Sequence, residues 1–193
     1  IVGENGSGKS TVANMLAGLE KPTTGTIYLN GQKIQNDNFR QRCQHIRMIF
    51  QHGRQSLSPT LTIGKTLHEP LKLNTQLTFE EQKQKIVDTC RKVGLLTDHY
   101  HFYPHMMSDG QIQRVALARA LILDPQVIFA DEPLASLDPS VKSQMVNLFL
   151  DLQQSLGISF VIVSHNMGIV RHMSDKVLVL QNGHLVEQGP TEE

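Results

Sequence analysis

The chain opens with a short apolar segment that runs into glycines and then into a helical pattern. Ile1 and Val2 are apolar and directly precede the first glycine, and a helical spacing of apolar residues begins after residue 11. These positions are Val12, Met15, Leu16 and Leu19. The pattern predicts a buried strand, a glycine-rich loop and an amphipathic helix, in that order.

Two stretches alternate apolar and polar residues on either side of an Asn-Gly pair. Residues 25–34 turn at Asn30 and Gly31, and residues 176–188 turn at Asn182 and Gly183. Because Asn-Gly is the strongest short-range signal for a two-residue turn, both stretches are predicted to be β-hairpins.

Three further apolar runs, at residues 46–51, 127–130 and 158–163, are predicted to be buried strands. The last two flank a helical pattern whose apolar face comprises Val141, Met145, Leu148 and Leu152. Strand, helix and strand in this order predict parallel strands joined by a right-handed crossover. We therefore expect an α/β fold with a parallel core sheet.

The middle of the chain is predominantly helical in pattern. Thr78 and Glu81 form a capping box at a helix start, and apolar residues then recur on one face before Gly94. Those residues are Phe79, Ile86, Val87, Cys90 and Val93. We predict one domain, with residues 1–51 and 124–193 as the core and residues 52–123 as an inserted helical subdomain.

Composition narrows the function classes. The 193 residues are 39% hydrophobic and 19% charged, with a formal net charge of zero, so no global basic field favours nucleic acid as a partner. Cys43 and Cys90 are isolated, which argues against a disulfide framework or a zinc site and favours structural roles. No apolar run approaches the length of a membrane-spanning helix.

The glycine-rich loop fits the pattern G-x-x-x-x-G-K-S/T, which binds nucleotide phosphates through backbone amides, a lysine and a hydroxyl. Its residues are Gly3, Glu4, Asn5, Gly6, Ser7, Gly8, Lys9 and Ser10, with Thr11 following in the helix. An ordinary surface turn is the alternative. The strand before the loop and the helix after it favour the phosphate loop, because they direct a helix N-terminus at the phosphates.

Little sequence precedes this loop. Only Ile1 and Val2 stand before Gly3, and the chain does not begin with methionine. A core strand usually has about five or six residues. We therefore expect this sequence to be a fragment cut at its N-terminus.

Two acidic residues end the predicted strand at residues 127–130. The carboxyl end of a parallel strand opens beside the phosphate loop, so Asp131 is predicted to bind Mg²⁺ together with Ser10. Glu132 is predicted to position or deprotonate the attacking water. Without the phosphate loop upstream, the same pair would be interpreted as a surface turn.

Another helix start lies at residues 108–111. Ser108 suits an N-cap and Gln111 its capping-box partner, and a well-capped helix is the simplest interpretation. The order along the chain adds to it: phosphate loop, Gln51, Ser-x-Gly-Gln at 108–111, the acids at 131–132, Ser-Leu-Asp at 136–138, and His165 after a strand. Over nearly its whole length the chain thus resembles the ABC ATPase family, a branch of the P-loop NTPases.

The resemblance implies specific roles. ATP would lie between two ATPase subunits, with Ser108, Gly110 and Gln111 of this chain serving the partner's nucleotide. His165 would contact the γ-phosphate and the water, and Gln51 would reach Mg²⁺ near the docking site of a membrane subunit. Residues 136–138 would contact the partner. The alternatives are a structural histidine and, at Asp138 and Pro139, an ordinary helix start.

The middle segment resembles the oligopeptide and dipeptide importer branch, through residues 50–51, 56–59, 61–64 and 69–71, and within it the Sap-type systems. This implies a related or identical ATPase partner in a head-to-tail dimer. It also implies two permease subunits, and a position at the cytoplasmic face of the inner membrane. The alternatives are a soluble ABC-type ATPase acting on ribosomes or nucleic acid, and a cassette that binds ATP only to regulate its partner.

The chain departs from the family pattern at the signature. Met107 replaces the usual leucine, and Asp109 stands where the first signature glycine is usual. A carboxylate near a γ-phosphate repels it, so we expect Asp109 to weaken the partner's ATP site without abolishing it. The aromatic residue on which the family stacks adenine falls before Ile1 and is not assigned.

Overall fold

The computed structural model describes residues 1–34, 39–51 and 53–191. The strands are β1 Val2–Gly3, β2 Tyr28–Leu29, β3 Gln32–Lys33, β4 Ile46–Ile49, β5 Val127–Asp131, β6 Ser159–Val163, β7 Lys176–Gln181 and β8 His184–Pro190. The helices are α1 Lys9–Ala17, α2 Phe39–His45, α3 Ile63–Asn74, α4 Phe79–Lys92, α5 Asp109–Leu121, α6 Pro139–Leu156 and α7 Met167–Met173. Short 3₁₀ turns occupy Arg54–Ser56, Thr97–His101 and Pro104–Met106.

The core is built on parallel strands, as predicted. β4, β5 and β6 pair in parallel in that order, β1 pairs in parallel with β7, and β8 is antiparallel to β7. Ile1 joins the two sheets, because its amino group donates to the carbonyl of Ile162 at 2.6 Å and its carbonyl accepts from the amide of Ser164 at 3.2 Å. The carboxyl ends of β1, β5 and β6 therefore meet at one edge.

Both Asn-Gly pairs form the predicted turns. β2 and β3 are joined at Asn30 and Gly31, and β7 and β8 at Asn182 and Gly183. All four turn residues have φ between 49° and 78°. This left-handed backbone suits the twist of a two-residue hairpin, and asparagine and glycine tolerate it best.

The predicted apolar face of α1 is only partly buried. Val12, Met15 and Leu16 are half-buried, and Leu19 lies beyond the helix end at Gly18. The fully buried apolar positions are the small residues Ala13 and Ala17, which pack against β4 to β6 together with the half-buried Leu16. A helix that lies close to a sheet needs short side chains there, so size and not hydrophobicity decides the buried face.

The middle helices form with the predicted caps. Thr78 and Glu81 make both hydrogen bonds of a capping box at the start of α4, and Ile86 and Cys90 are fully buried. Phe79 departs from the expected buried face, because it is 62% exposed and stacks on His68 at the helical surface.

The helices α3 to α5 share one apolar cluster with the core strands and α6, and its members include Leu67, Ile86, Ile128 and Phe149. The division into a core and a helical subdomain stays a prediction. Across the part of the chain that is described, no helix combines the length and apolar character needed to cross a membrane.

Candidate functional site: a nucleotide cavity

The phosphate loop has a backbone that requires glycine. Gly3, Gly6 and Gly8 have φ of 147°, 81° and 94°, and a Cβ atom at Gly3 would lie 2.1 Å from the carbonyl oxygen of Leu180. L-residues with a side chain rarely adopt such φ values. The motif glycines are therefore explained by backbone shape and by the close approach of β7.

Lys9 lies beneath the loop and ties it together. Its side chain is buried, and Nζ donates to the carbonyls of Gly3 at 2.9 Å and Glu4 at 2.7 Å. The hydroxyl of Ser7 is also buried and has no hydrogen-bond partner within the described residues. The loop thus holds a buried cation beside the cavity where the motif predicts phosphates.

A cavity of about 620 Å³ adjoins the loop, and predicted residues from four sequence regions line it. Its lining comprises Gly3, Glu4, Asn5, Gly6, Gly8, Lys9, Ser10, Thr11, Gln51, Asp131, Glu132, Val163 and His165. The parallel strands explain this convergence, because their carboxyl ends carry Gly3, Asp131 and Val163 to the same edge of the sheets.

Glu132 and His165 form a hydrogen-bonded pair at this edge. Glu132 follows β5 with φ of 44°, and its amide donates to the carbonyl of Val163 at 3.0 Å. Its Oε1 accepts from the amide of His165 at 3.0 Å and lies 2.6 Å from His165 Nδ1. A left-handed backbone costs conformational free energy at a residue with a side chain. At Glu132 it accompanies the contact of the carboxylate with His165.

The predicted metal donors line the same cavity. Ser10 offers a hydroxyl, Asp131 a carboxylate and Gln51 an amide oxygen. Hard oxygen ligands of this kind suit Mg²⁺, which is usually held by few protein ligands together with substrate phosphates. The donor set therefore fits the expected ion.

The signature residues lie elsewhere. Ser108 is exposed and caps α5, with its Oγ accepting from the amide of Gln111 at 3.3 Å and its own amide donating to Gln111 Oε1 at 2.9 Å. A Cβ at Gly110 would lie 2.7 Å from a methyl of Val141, so this helix start packs closely on α6. Ser108, Gly110 and Gln111 are outside the lining of the cavity formed by the described residues.

Sequence reasoning missed Arg54. Its Nε and Nη2 donate to Asp109 Oδ1 at 3.2 and 2.8 Å, and it also donates to the carbonyls of Pro104 at 2.7 Å and Met107 at 2.9 Å. No local pattern indicates this role, since Arg54 stands in an irregular segment far from Asp109 in the sequence. The unusual signature carboxylate is thus paired.

Comparison with known proteins agrees with this geometry. The family described as "ABC transporter" matches residues 1–135. The chain is 51% identical over 191 residues to the peptide transport system ATP-binding protein SapF of Salmonella typhimurium, spanning 99% of this chain and 71% of that protein. Identity and coverage are the same for the putrescine export system ATP-binding protein SapF of Escherichia coli. The dipeptide transport ATP-binding protein DppF of E. coli is 47% identical, over 98% of this chain and 58% of that protein.

Solved structures of the same kind superpose well. A dimeric post-hydrolysis state of the ATP-binding cassette MJ0796, bound to ADP and Pi, has a TM-score of 0.86 and 29% identity, over 98% of this chain and 83% of that one. The cbiO1 protein from Clostridium perfringens, part of the transporter complex cbiONQ, has a TM-score of 0.87 and 28% identity, over 99% and 77% of the respective chains. Together with the nucleotide cavity, these similarities mean that the chain belongs to the ABC transporter family.

Proposed function

We propose that this chain is the ATP-hydrolysing subunit that energises a membrane transporter, and that peptides are the transported class. The observation that carries the ATPase assignment is the single cavity into which the phosphate loop, Asp131 and the Glu132–His165 pair converge. A cassette that only bound ATP would have no need of a carboxylate placed as Glu132 is. Family membership supports the same conclusion.

The peptide assignment rests on the relatives. SapF of S. typhimurium and DppF of E. coli are named for peptide and dipeptide transport, whereas SapF of E. coli is named for putrescine export. Substrate selection in such a system belongs to membrane subunits that this chain does not contain. None of the relatives described above is named for ribosomes or nucleic acid.

The loop and its lysine would bind the phosphates. Nζ of Lys9 now satisfies two loop carbonyls, and a phosphate oxygen is a stronger, charged acceptor for the same donor. The N-terminus of α1 would add its amides and its positive dipole end. Binding would therefore involve a change of the hydrogen-bond partners of Lys9.

Glu132 would act on the water that attacks the γ-phosphorus. As the water oxygen forms its bond to phosphorus, the bond from phosphorus to the ADP oxygen breaks, and the water proton passes to the Glu132 carboxylate. His165 holds Oε1 through two hydrogen bonds, so it sets the orientation of that carboxylate. Bound Mg²⁺ would neutralise phosphate charge, with Ser10, Asp131 and Gln51 as its protein ligands.

The position of the signature supports a dimer. Ser108 and Gly110 lie outside the chain's own cavity and at an exposed helix start, as a head-to-tail ATP sandwich requires. We propose a second ABC ATPase subunit, related or identical, as the partner. Dimeric cassettes among the solved relatives support this arrangement.

A groove beside Gln51 suits a permease helix. Its volume is about 470 Å³, and its lining includes the exposed apolar Phe50 and Leu19 together with Arg47 and Arg119. Burial lowers the pKa of both arginines from the ordinary value, yet a guanidinium stays charged at neutral pH. We propose that an acidic, partly apolar helix of a permease subunit docks here, with the chain at the cytoplasmic face of the inner membrane.

The function is tested by reconstituting the chain with its partner ATPase and two permease subunits in lipid vesicles. Peptide on the substrate side should raise the rate of ATP hydrolysis, and ATP should drive peptide across the membrane. A rate of ATP hydrolysis that does not change when peptide is added would refute peptides as the substrate class. Salt-sensitive co-sedimentation with ribosomes or RNA, without binding to permeases, would favour the soluble alternative.

The docking site has a matched control within the chain. Phe50→Asp should release the chain from permease-containing vesicles, because it puts a carboxylate into the apolar part of the groove. Tyr28→Asp changes another exposed aromatic residue, on the β2–β3 hairpin, and should not. Both variants should keep ATP binding. Equal release of both variants, or of neither, would overturn the docking site.

A further inference from the structure

Arg54 connects two segments that the motifs treat separately. It begins the short turn Arg54–Ser56 that follows Gln51, and every acceptor described for its guanidinium lies within residues 104–109, just before or at the start of α5. Two of these acceptors are backbone carbonyls, at Pro104 and Met107, and they remain whatever residue stands at position 109. Arg54 thus holds the approach to the signature as well as its carboxylate.

The partner of this cation is the residue that departs from the family pattern. Asp109 is the first residue of α5, directly after the N-cap Ser108 and before Gly110. Its carboxylate is 70% exposed, and Arg54 Nη2 approaches Oδ1 to 2.8 Å. At a helix N-terminus an anion is favoured by the dipole, and the guanidinium adds a full positive charge on the other side.

We propose that Arg54 is a positioning residue that makes the Asp109 signature compatible with ATP in the partner's site. The proposal rests on the ATPase function and on the signature serving the partner's nucleotide. Arg54 offsets the charge of Asp109, which would otherwise repel the γ-phosphate. It also fixes the carbonyls before Ser108, so the signature follows any movement of the segment after Gln51.

The two roles of Arg54 separate in a double-mutant cycle. Arg54→Gln removes the charge and some of the carbonyl contacts, whereas Asp109→Gly removes the side chain whose charge needs offsetting. A purely structural Arg54 would cost the same activity in either background. A charge-offsetting Arg54 costs more when Asp109 is present, so Asp109→Gly should rescue Arg54→Gln.

The cycle is measured as kcat and KM for ATP in the reconstituted transporter. Arg54→Gln should lower kcat by about three- to fivefold, the upper end of what an exposed ion pair supports, and Asp109→Gly should restore at least about half of that loss. Asp109→Gly alone should raise kcat by no more than about twofold, because Arg54 already offsets most of the repulsion expected from the carboxylate. At about 0.5 M salt the Arg54→Gln defect should shrink below about twofold, because screening weakens exposed charges.

Arg54→Lys keeps the charge and should lose less activity than Arg54→Gln. It also decides the question if Arg54→Gln fails to fold, which thermal unfolding of the subunit would reveal. The proposal would be overturned if Arg54→Gln lowered kcat equally with and without Asp109→Gly. It would also be overturned if the loss of kcat in Arg54→Lys did not depend on salt concentration. A wild-type transporter without ATP hydrolysis would instead overturn the proposed function, so the two failures are distinguishable.

Discussion

Glu132 Oε1 accepts hydrogen bonds from both the backbone amide and the ring Nδ1 of His165, at 3.0 and 2.6 Å. The carboxylate side chain is 14% exposed, whereas the histidine side chain is 67% exposed. The histidine therefore covers the carboxylate on its solvent side. This arrangement leaves Oε2 as the carboxylate oxygen without those two bonds and makes Glu132 and His165 a functional unit.

Glu132→Gln should stop turnover while leaving ATP binding intact. An amide keeps the shape of the side chain but cannot accept a water proton, and a positioned general base contributes about a hundredfold or more to the rate. Steady-state hydrolysis and calorimetric ATP titration measure the two effects separately. Turnover that persists in this variant would remove Glu132 from the mechanism.

His165→Ala should lower kcat by about tenfold to a hundredfold, the effect of losing one hydrogen bond to a charged group. The backbone amide of residue 165 still bonds Glu132, so the loss should be smaller than for Glu132→Gln. His172→Ala is the matched control, since His172 is exposed on α7 outside the cavity lining. Similar rates in the two histidine variants would contradict the role of His165.

Gly3→Ala should damage both the fold and the site. The new Cβ would meet the carbonyl oxygen of Leu180 at a backbone φ that L-residues rarely adopt, at a cost of about 2 kcal/mol or more in the free energy of unfolding. Gly189→Ala, in β8, meets nothing within 4 Å and is the control. The free energy of unfolding in urea and the affinity for ATP should both fall for Gly3→Ala and not for Gly189→Ala.

Stability at alkaline pH should depend on Cys90. Burial raises the pKa of its thiol to about 11, from an ordinary value of 9.0. In the unfolded chain the thiol ionises first, so its contribution to stability is complete below about pH 9 and is lost as the pH rises towards 11. The free energy of unfolding should drop by about 3 kcal/mol at most across this window.

Urea unfolding of the wild type and of Cys90→Ala at several pH values isolates this contribution. The variant starts from a lower stability because of the cavity it creates, but its curve should be flatter above pH 9. Parallel curves would mean that the thiol of Cys90 ionises alike in both states.

Local chemistry made much of the fold predictable. Asn30 and Asn182, each followed by glycine, predict their turns from two residues alone. The capping boxes at Thr78 and Ser108 depend on contacts between residues three positions apart. The gathering of the candidate site residues could also be predicted, because the ends of parallel strands meet at one edge whatever the details of packing.

What could not be predicted depends on partners distant in sequence. Ala13 and Ala17 are buried because the strands lie close to α1, which the spacing of apolar residues does not reveal. Arg54 finds Asp109 only when the segment after Gln51 folds against the start of α5. A single arginine outside any sequence motif does not indicate that it will contact a distant carboxylate.

The turn between β7 and β8 supports the phosphate loop, since the amide of Gly183 donates to the carbonyl of Ser7 at 3.1 Å. During synthesis the loop emerges long before this hairpin, and contacts between distant segments form late because they close large loops. We therefore expect nucleotide binding to require that the turn at residue 183 has left the ribosome and reached the loop. Ribosome-bound chains stalled before Lys176 should not be retained on ATP-agarose. Retention of these chains would contradict the expectation. ATP binding would then report that β7 and β8 have paired behind the phosphate loop.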